Sequence, residues 1–146
     1  MVRRCKYKQP NLCWSNVRDN KRDVKQGVIK SRVLTGTYKI ERIISRYEKS
    51  TTSSLCRQKD TEDYVHFLLK CDTLSTIRNN HLVRLALYLE KIQVNTDYLV
   101  NSEKDLLQLI IDCSASNLID SQYRKDVDTI CRDMIYALHV KRVNYS

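Results

Sequence analysis

The scarcity of glycine and proline constrains the fold of this chain more than any other feature. Its 146 residues include two glycines and one proline. Sandwiches and barrels of β-strands need many tight turns, which these two residues supply, so the composition favours helices joined by polar loops. Apolar residues also recur at helical spacing. The sequence therefore predicts an all-α single domain of about five to six helices, with a central polar loop that carries cysteine and histidine.

The pattern divides the chain into two parts. Residues 1–17 show no periodicity and are predicted to form an irregular basic N-terminal arm, whereas residues 18–146 form the helical domain. The first predicted helix begins at residue 19, and its apolar face carries Val24, Val28 and either Ile29 or Arg32, followed by Val33 and Leu34. It should end at Gly36, because a glycine commonly follows the last turn of a helix.

The next segment, residues 38–48, places Ile40, Ile43, Ile44 and Tyr47 at helical spacing. Four later helices are predicted over residues 62–70, 73–91, 103–114 and 120–143. Thr61 is the expected N-cap of the first, and Ser102 with Asp105 resembles a capping box before the third. Residues 93–101 are interpreted as a connection. The last helix places five apolar residues on one face: Tyr123, Val127, Ile130, Met134 and Leu138.

Positive charge is concentrated at the start of the chain. The net charge is +9, but residues 1–50 carry 14 lysines and arginines against 4 acidic residues, whereas residues 51–146 carry 12 against 13. A surface with this bias attracts polyanions, because phosphate contacts release condensed counterions. The alternative is a solvated basic segment with no partner.

On the polyanion interpretation, eight cations contact phosphates without reading bases: Lys21, Arg22, Lys25, Lys30, Arg32, Lys39, Arg42 and Arg46. Tyr38 and Trp14 are candidates to stack on bases. A structural alternative for Trp14 is packing at the edge of the core. The predicted partners are RNA or DNA, bound through the backbone.

Two cysteines and a histidine lie close together in the middle of the chain. Cys56, His66 and Cys71 are candidate zinc ligands, and Ser53 stands where a fourth ligand would be expected. A neutral hydroxyl is a poor zinc ligand. On an unbroken α-helix, positions five apart diverge by roughly 140°, so His66 and Cys71 could share a metal only if the helix ends or tightens. Otherwise Cys71 is a small buried hydrophobic residue and His66 a satisfied polar one.

No pattern indicates an enzyme. There is no phosphate-binding loop, no GxGxxG and no Asp-Asp pair of the kind that holds two metal ions at a polymerase site. Asp126, Asp128 and Asp133 are interpreted as a solvated acidic face of the last helix. The chain is predicted not to be an enzyme.

The sequence also indicates where the protein is located. No stretch approaches the roughly 18 apolar residues of a membrane span, and no secretory signal is predicted. The six cysteines are expected as thiols or metal ligands in a reducing compartment, either nucleus or cytoplasm. Partners therefore include no membrane, and the oligomeric state is left open.

Four phrases resemble one family in order. "IKSRVLTGTY", "SSLCRQKDTEDYVHFLLKCDTLSTIRNNHL", "LLQLIIDCS" and "YALHVKR" are similar to the region that follows the polymerase domain in non-LTR (LINE-like) retrotransposon reverse transcriptases. That resemblance implies a zinc-knuckle-like element that helps hold template RNA or target DNA. It matches Cys56, His66 and Cys71 to three ligand positions, with Ser53 at the fourth. The expected cofactor is therefore none, or zinc at a degenerate site.

Together these observations predict a non-catalytic nucleic-acid-binding module derived from the tail of a retroelement reverse transcriptase. Its basic N-terminal third would hold the phosphate backbone. The alternative is a vestigial or protein-interaction helical domain with no nucleic-acid role.

Overall fold

A computed structural model describes residues 12–38, 63–116 and 118–145. These ranges contain helices and turns with no strand, so the predicted all-α class is confirmed. In chain order the helices are α1 (Leu12–Ser15), α2 (Lys21–Thr35), α3 (Ser75–Lys91), α4 (Thr96–Asn101), α5 (Glu103–Ile111) and α6 (Arg124–Tyr145). Within these ranges, no helix combines the length and the apolar character needed to cross a membrane.

α6 is the central helix of the fold. Its predicted apolar residues Val127, Ile130, Met134 and Leu138 are all buried, as are Cys131 and Ile135 beside them. α3 packs on it in the antiparallel sense, because Arg84 pairs with Asp133 while Tyr88, one turn later, pairs with Asp126. α2 packs on another part of α6. One hydrophobic cluster connects these helices, and α5 contributes Leu109 and Ile110 to it.

α2 begins and ends where its capping residues require. The Asn20 side chain accepts a hydrogen bond from the backbone N–H of Asp23, and Gly36 adopts a left-handed conformation with φ 74°. Only glycine takes up that conformation without a steric penalty. The predicted end of the helix at Gly36 is therefore confirmed. Val24 is 45% exposed, so its assignment to the apolar face was wrong, whereas Ile29 and Val33 of the same predicted pattern are buried.

Two short helices lie where none was predicted. α1 falls inside the segment expected to be irregular, and α4 falls inside the segment interpreted as a connection. Both are no longer than six residues, which is too short for a helical period to emerge from the sequence. The capping interaction after α4 is confirmed, since the Ser102 hydroxyl accepts from the backbone N–H of Asp105 at 3.4 Å.

The segment before α3 is a π-helical turn over His66–Lys70, preceded by helical residues 64 and 65. The Asp63 carboxylate accepts a hydrogen bond from the backbone N–H of His66 at 2.8 Å, which is the interaction of an N-cap. Thr61, the expected cap, lies outside the described residues, and so do residues 39–48 of the segment predicted to be helical after Gly36. Arg78 of α3 closes the other end, where its guanidinium donates to the carbonyls of Leu68 and Cys71 at 2.9 and 2.8 Å.

Candidate nucleic-acid interface

α2 presents a row of cations to solvent. Lys21, Lys25 and Arg32 are exposed and lie within about 40° of one another around the helix axis, at 100° per residue. We call these three residues the α2 cation stripe. Arg22 is also exposed, at the edge of the stripe. No carboxylate in the described part of the chain forms an ion pair with any of these four side chains.

Lys30 is not part of this surface, although its sequence position suggested a phosphate contact. Its side chain is 1% exposed, and its ammonium forms an ion pair with the carboxylate of Asp128, which is 2% exposed. Lys30 lies about 140° around the helix from Lys25, so it faces α6 rather than solvent. The same contact corrects the prediction that Asp128 belongs to a solvated acidic face.

The environment of Lys30 keeps it charged. Burial is the largest single influence and lowers the pKa of a lysine, but the charge and the hydrogen bond of the Asp128 carboxylate act against it, and the pKa of Lys30 is raised above its ordinary value. Burial raises the pKa of the Cys113 thiol to about 12, and also raises that of Cys131. The two thiols are therefore protonated at neutral pH.

Asp128 also attaches α1 to α6. The Asn16 amide donates to Asp128 Oδ2 at 3.1 Å, to Thr129 Oγ1 at 2.9 Å and to the carbonyl of Lys125 at 2.9 Å. The Arg132 guanidinium donates back to the carbonyl of Asn16 at 2.8 Å. The Asp128 carboxylate therefore binds both Asn16, which follows α1, and Lys30 of α2, and it attaches both segments to α6.

Tyr38 is buried as well, which corrects its prediction as a base-stacking residue. It is 4% exposed, and its ring stacks on Phe67 with centroids 5.2 Å apart and planes 21° apart. Its hydroxyl shares a hydrogen bond with Nδ1 of His139 at 2.8 Å, and the Arg142 guanidinium lies 5.8 Å from the ring centroid. With both its faces and its hydroxyl engaged, Tyr38 has no surface left for a base.

His139 lies next to this ring, and its pKa is lowered. Partial burial is the largest cause, and the positive charges of Arg142 and Arg32 add to it. Arg32 thus belongs to the α2 cation stripe and also influences a half-buried group of α6. At neutral pH His139 is therefore an uncharged imidazole.

The candidate zinc ligands are only partly described. His66 and Cys71 are both buried, and the backbone N–H of Cys71 bonds to the carbonyl of His66 at 2.7 Å, which closes the π turn. A wide turn with this i to i+5 bond brings the two residues closer to one face than an α-helix would. An end or a tightening of the helix before Cys71 was the condition for a shared metal; the helix ends after Lys70, and its last turn is wider than an α-helical turn. Cys56 and Ser53 lie outside the described residues, so the degenerate zinc site stays a prediction.

Of the other predicted phosphate contacts, Lys39, Arg42 and Arg46 lie outside the described residues. Two exposed groups adjoin the stripe in sequence: Trp14, which is 53% exposed, and Arg18. The sequence did not indicate Arg18 as a phosphate contact, because Arg18 lies before the first residue of the predicted helix. Asn20 caps α2, so Arg18 lies in the turn that precedes this helix.

An open groove lies between α3 and α6, with a volume of about 410 Å³. Its polar lining consists of Arg84, Tyr88, Lys91, Asp126 and Thr129. The Tyr88 hydroxyl donates to Asp126 at 2.8 Å, and Arg84 pairs with Asp133. These groups hold the two helices together, and the lining includes neither a cysteine nor a histidine.

Comparison with known proteins identifies no relative. No family model, no curated protein and no solved structure matches the chain.

Proposed function

We propose that this chain is a non-catalytic nucleic-acid-binding module that holds the phosphate backbone of RNA or DNA. The observation that supports it is the α2 cation stripe, in which three exposed positive charges share one sector of a helix and are not paired with carboxylates in the described structure. Phosphate contacts by such charges release condensed counterions, which supplies most of the affinity of sequence-independent binding. Backbone contacts of this kind position a polymer but do not read its sequence.

We further propose that the module derives from the tail of a retroelement reverse transcriptase. Three of the family-like phrases, far apart in sequence, contribute to one cluster in space: Tyr38 from the first, Phe67 from the second, and His139 with Arg142 from the last. These phrases therefore belong to one packed unit of the described structure. Their contact supports a single inherited fold unit.

The test is a binding measurement at two salt concentrations. A fluorescently labelled RNA and the DNA of the same sequence are titrated with the protein, and anisotropy is recorded. For the Lys21→Glu/Lys25→Glu variant we expect at least a tenfold loss of affinity. The slope of log affinity against log salt should become shallower by about two, one for each lost phosphate contact.

The matched control is Lys91→Glu/Lys104→Glu, which changes the net charge equally at exposed positions of α3 and α5. It should retain most of the affinity. Equal losses in both variants would mean that net charge, and not this surface, attracts the polymer. Absence of binding by the unmodified protein at low salt would favour the alternative, a protein-interaction domain. The exposed Val83 and Leu87, one turn apart on α3, would then be the surface to examine.

A further inference from the structure

Trp14 is a large apolar side chain held on the outside of a fixed segment. It is 53% exposed, whereas its neighbour Leu12 packs against the hydrophobic cluster and Asn16 makes three hydrogen bonds to α6. α1 is therefore attached on both sides of Trp14. The indole of Trp14 is therefore presented to solvent from a segment whose backbone is attached to the core.

The chain between Trp14 and the α2 cation stripe is also fixed. The backbone N–H of Val17 bonds to the carbonyl of Trp14 at 3.3 Å, and that of Arg18 bonds to Asp23 Oδ2 at 3.1 Å. Asp23 is held in turn by Arg132, at 3.7 Å. Seven residues separate Trp14 from Lys21, a span of at most about 25 Å if fully extended. The indole and the first cations of the stripe are therefore held within reach of one short strand.

We propose that Trp14 and the α2 cation stripe form a binding site for single-stranded nucleic acid, in which the indole stacks on an unpaired base while the cations contact the backbone. This inference rests on the proposed function and adds the class of substrate to it. In a duplex each base is already stacked between its neighbours, so its π-face is closed to a ring on the protein surface. A single strand offers that face, and its phosphates complement Arg18, Lys21 and Lys25.

The fixed position of the α1 backbone strengthens this argument. An aromatic side chain that must first be ordered loses part of its contact free energy to conformational entropy. Here the hydrogen bonds of Asn16 and Arg132 have already positioned α1, so only the side-chain rotamer of Trp14 remains to be fixed. Base stacking on a protein ring is sequence-tolerant, since every base has a π-face, which agrees with a site that reads no sequence.

The experiment uses the fluorescence of Trp14, which is the only tryptophan in the chain. The full chain is titrated with three probes: a single-stranded DNA, the same strand annealed to its complement, and inorganic polyphosphate, which carries the charge without bases. We expect the single strand to quench and shift the emission and to bind more tightly than the duplex. Polyphosphate should bind through the stripe with little quenching.

Variants separate stacking from charge, with affinity measured by the anisotropy of labelled DNA. Trp14→Leu should lower single-strand affinity by about 5- to 150-fold, which corresponds to about 1–3 kcal/mol per stacked base. Its salt slope and duplex affinity should be unchanged, and Trp14→Phe should restore part of the loss. Circular dichroism of each variant controls for folding, and Trp14→Phe keeps the test valid if Trp14→Leu is misfolded.

Three outcomes would overturn the inference. If the duplex and the single strand bind equally without quenching, the phosphate-binding function stands but the single-strand class is wrong. If Trp14→Leu and Trp14→Phe both bind as the unmodified protein does, the indole contacts no base. If no probe binds, the proposed function itself fails, and the inference fails with it.

Discussion

The two faces of α2 place the same type of side chain in opposite environments. Lys25 is exposed, whereas Lys30, little more than one turn later, is 1% exposed and paired with Asp128. An ammonium in water is free to exchange its counterions for phosphates. A buried ammonium has exchanged its hydration for one carboxylate. If the two separate, each charge remains buried without compensation. One face of the helix therefore determines stability, and the other is available for binding.

The comparison also shows why a count of charges misleads. Of the described cations in the first third of the chain, Lys30 is neutralised by a carboxylate from a later helix. The carboxylate of Asp23, in turn, lies beside Arg132 from α6. Among residues 12–38, the charge available to a polyanion is thus the exposed α2 cation stripe with Arg18 and Arg22. A partner would detect this local set, because solvent and salt screen more distant charges within about 10 Å.

Breaking the buried pair should have the largest effect. For Lys30→Met we expect a loss of about 3–5 kcal/mol in the free energy of unfolding, because Asp128 stays buried without its cation. Urea denaturation followed by circular dichroism measures this loss. Lys25→Met is the matched control: the same substitution on the exposed face should change stability little.

The double variant Lys30→Met/Asp128→Leu keeps this test informative if the single variant does not fold. Replacing both charges by apolar groups of similar size should recover most of the lost stability. The Asn16 amide would still donate to Thr129 and to the carbonyl of Lys125. A Lys30→Met protein within about 1 kcal/mol of the unmodified one would contradict the contrast between the two faces.

Arg78 extends the comparison to a second buried cation, whose partners are neutral carbonyls. Burial lowers the pKa of its guanidinium, but an arginine remains charged. Arg78→Met would leave the carbonyls of Leu68 and Cys71 without these donors, so we expect a loss of about 1–3 kcal/mol. Hydrogen exchange should become faster first at the amides of the π turn, His66–Lys70, because that segment would open locally.

The control for this change is Arg84→Met on the same helix. Arg84 is 53% exposed and pairs with Asp133 at 3.1 Å, and exposed ion pairs contribute only about 0–1 kcal/mol. If Arg78→Met and Arg84→Met cost the same and the π turn exchanges no faster, then Arg78 does not stabilise the turn.

Several parts of this fold could be predicted from local rules. Gly36 ends α2 because of its left-handed conformation, and Ser102 caps α5 through its hydroxyl. The buried face of α6 follows from its helical period. These features depend on residues within one or two turns of each other, so the sequence contains all the information that they require.

The errors at the candidate site have a different physical origin. Lys30 and Tyr38 were assigned to binding because of their residue type, but their roles depend on Asp128 and His139, about 100 residues away. One local signal was present: Lys30 follows Gln26 by one turn and precedes Val33 by three residues, on the face that α2 buries. The π turn had no such signal, since it depends on Arg78 from the next helix.

The prediction with the smallest expected effect tests whether a charge on the exposed face of α2 influences a half-buried group of the core. His139 is half-buried, and its lowered pKa means that the unfolded chain takes up a proton at higher pH than the folded one. Stability should therefore be fully present above the ordinary histidine pKa of about 6.5 and should fall as the pH drops through and below it. Unfolding measured at several pH values should show this fall, and His139→Gln should reduce it.

Arg32 provides the link, because its charge contributes to the lowered pKa although it lies on the exposed stripe. Arg32→Gln should raise the pKa of His139 slightly, and Arg142→Gln should raise it more, since Arg142 is the larger of the two electrostatic causes. Lys21→Gln, on the same stripe but not among the causes, should leave it unchanged. An NMR titration of the three histidines, with His139 assigned by its absence in His139→Gln, measures these shifts. A His139 midpoint at or above the ordinary value would contradict the lowered pKa. An equal response to Lys21→Gln and Arg32→Gln would show that the stripe influences the core only through net charge. If, of the two stripe variants, Arg32→Gln alone raises the pKa of His139, then a phosphate bound at Arg32 should raise it as well, because it would compensate the same positive charge.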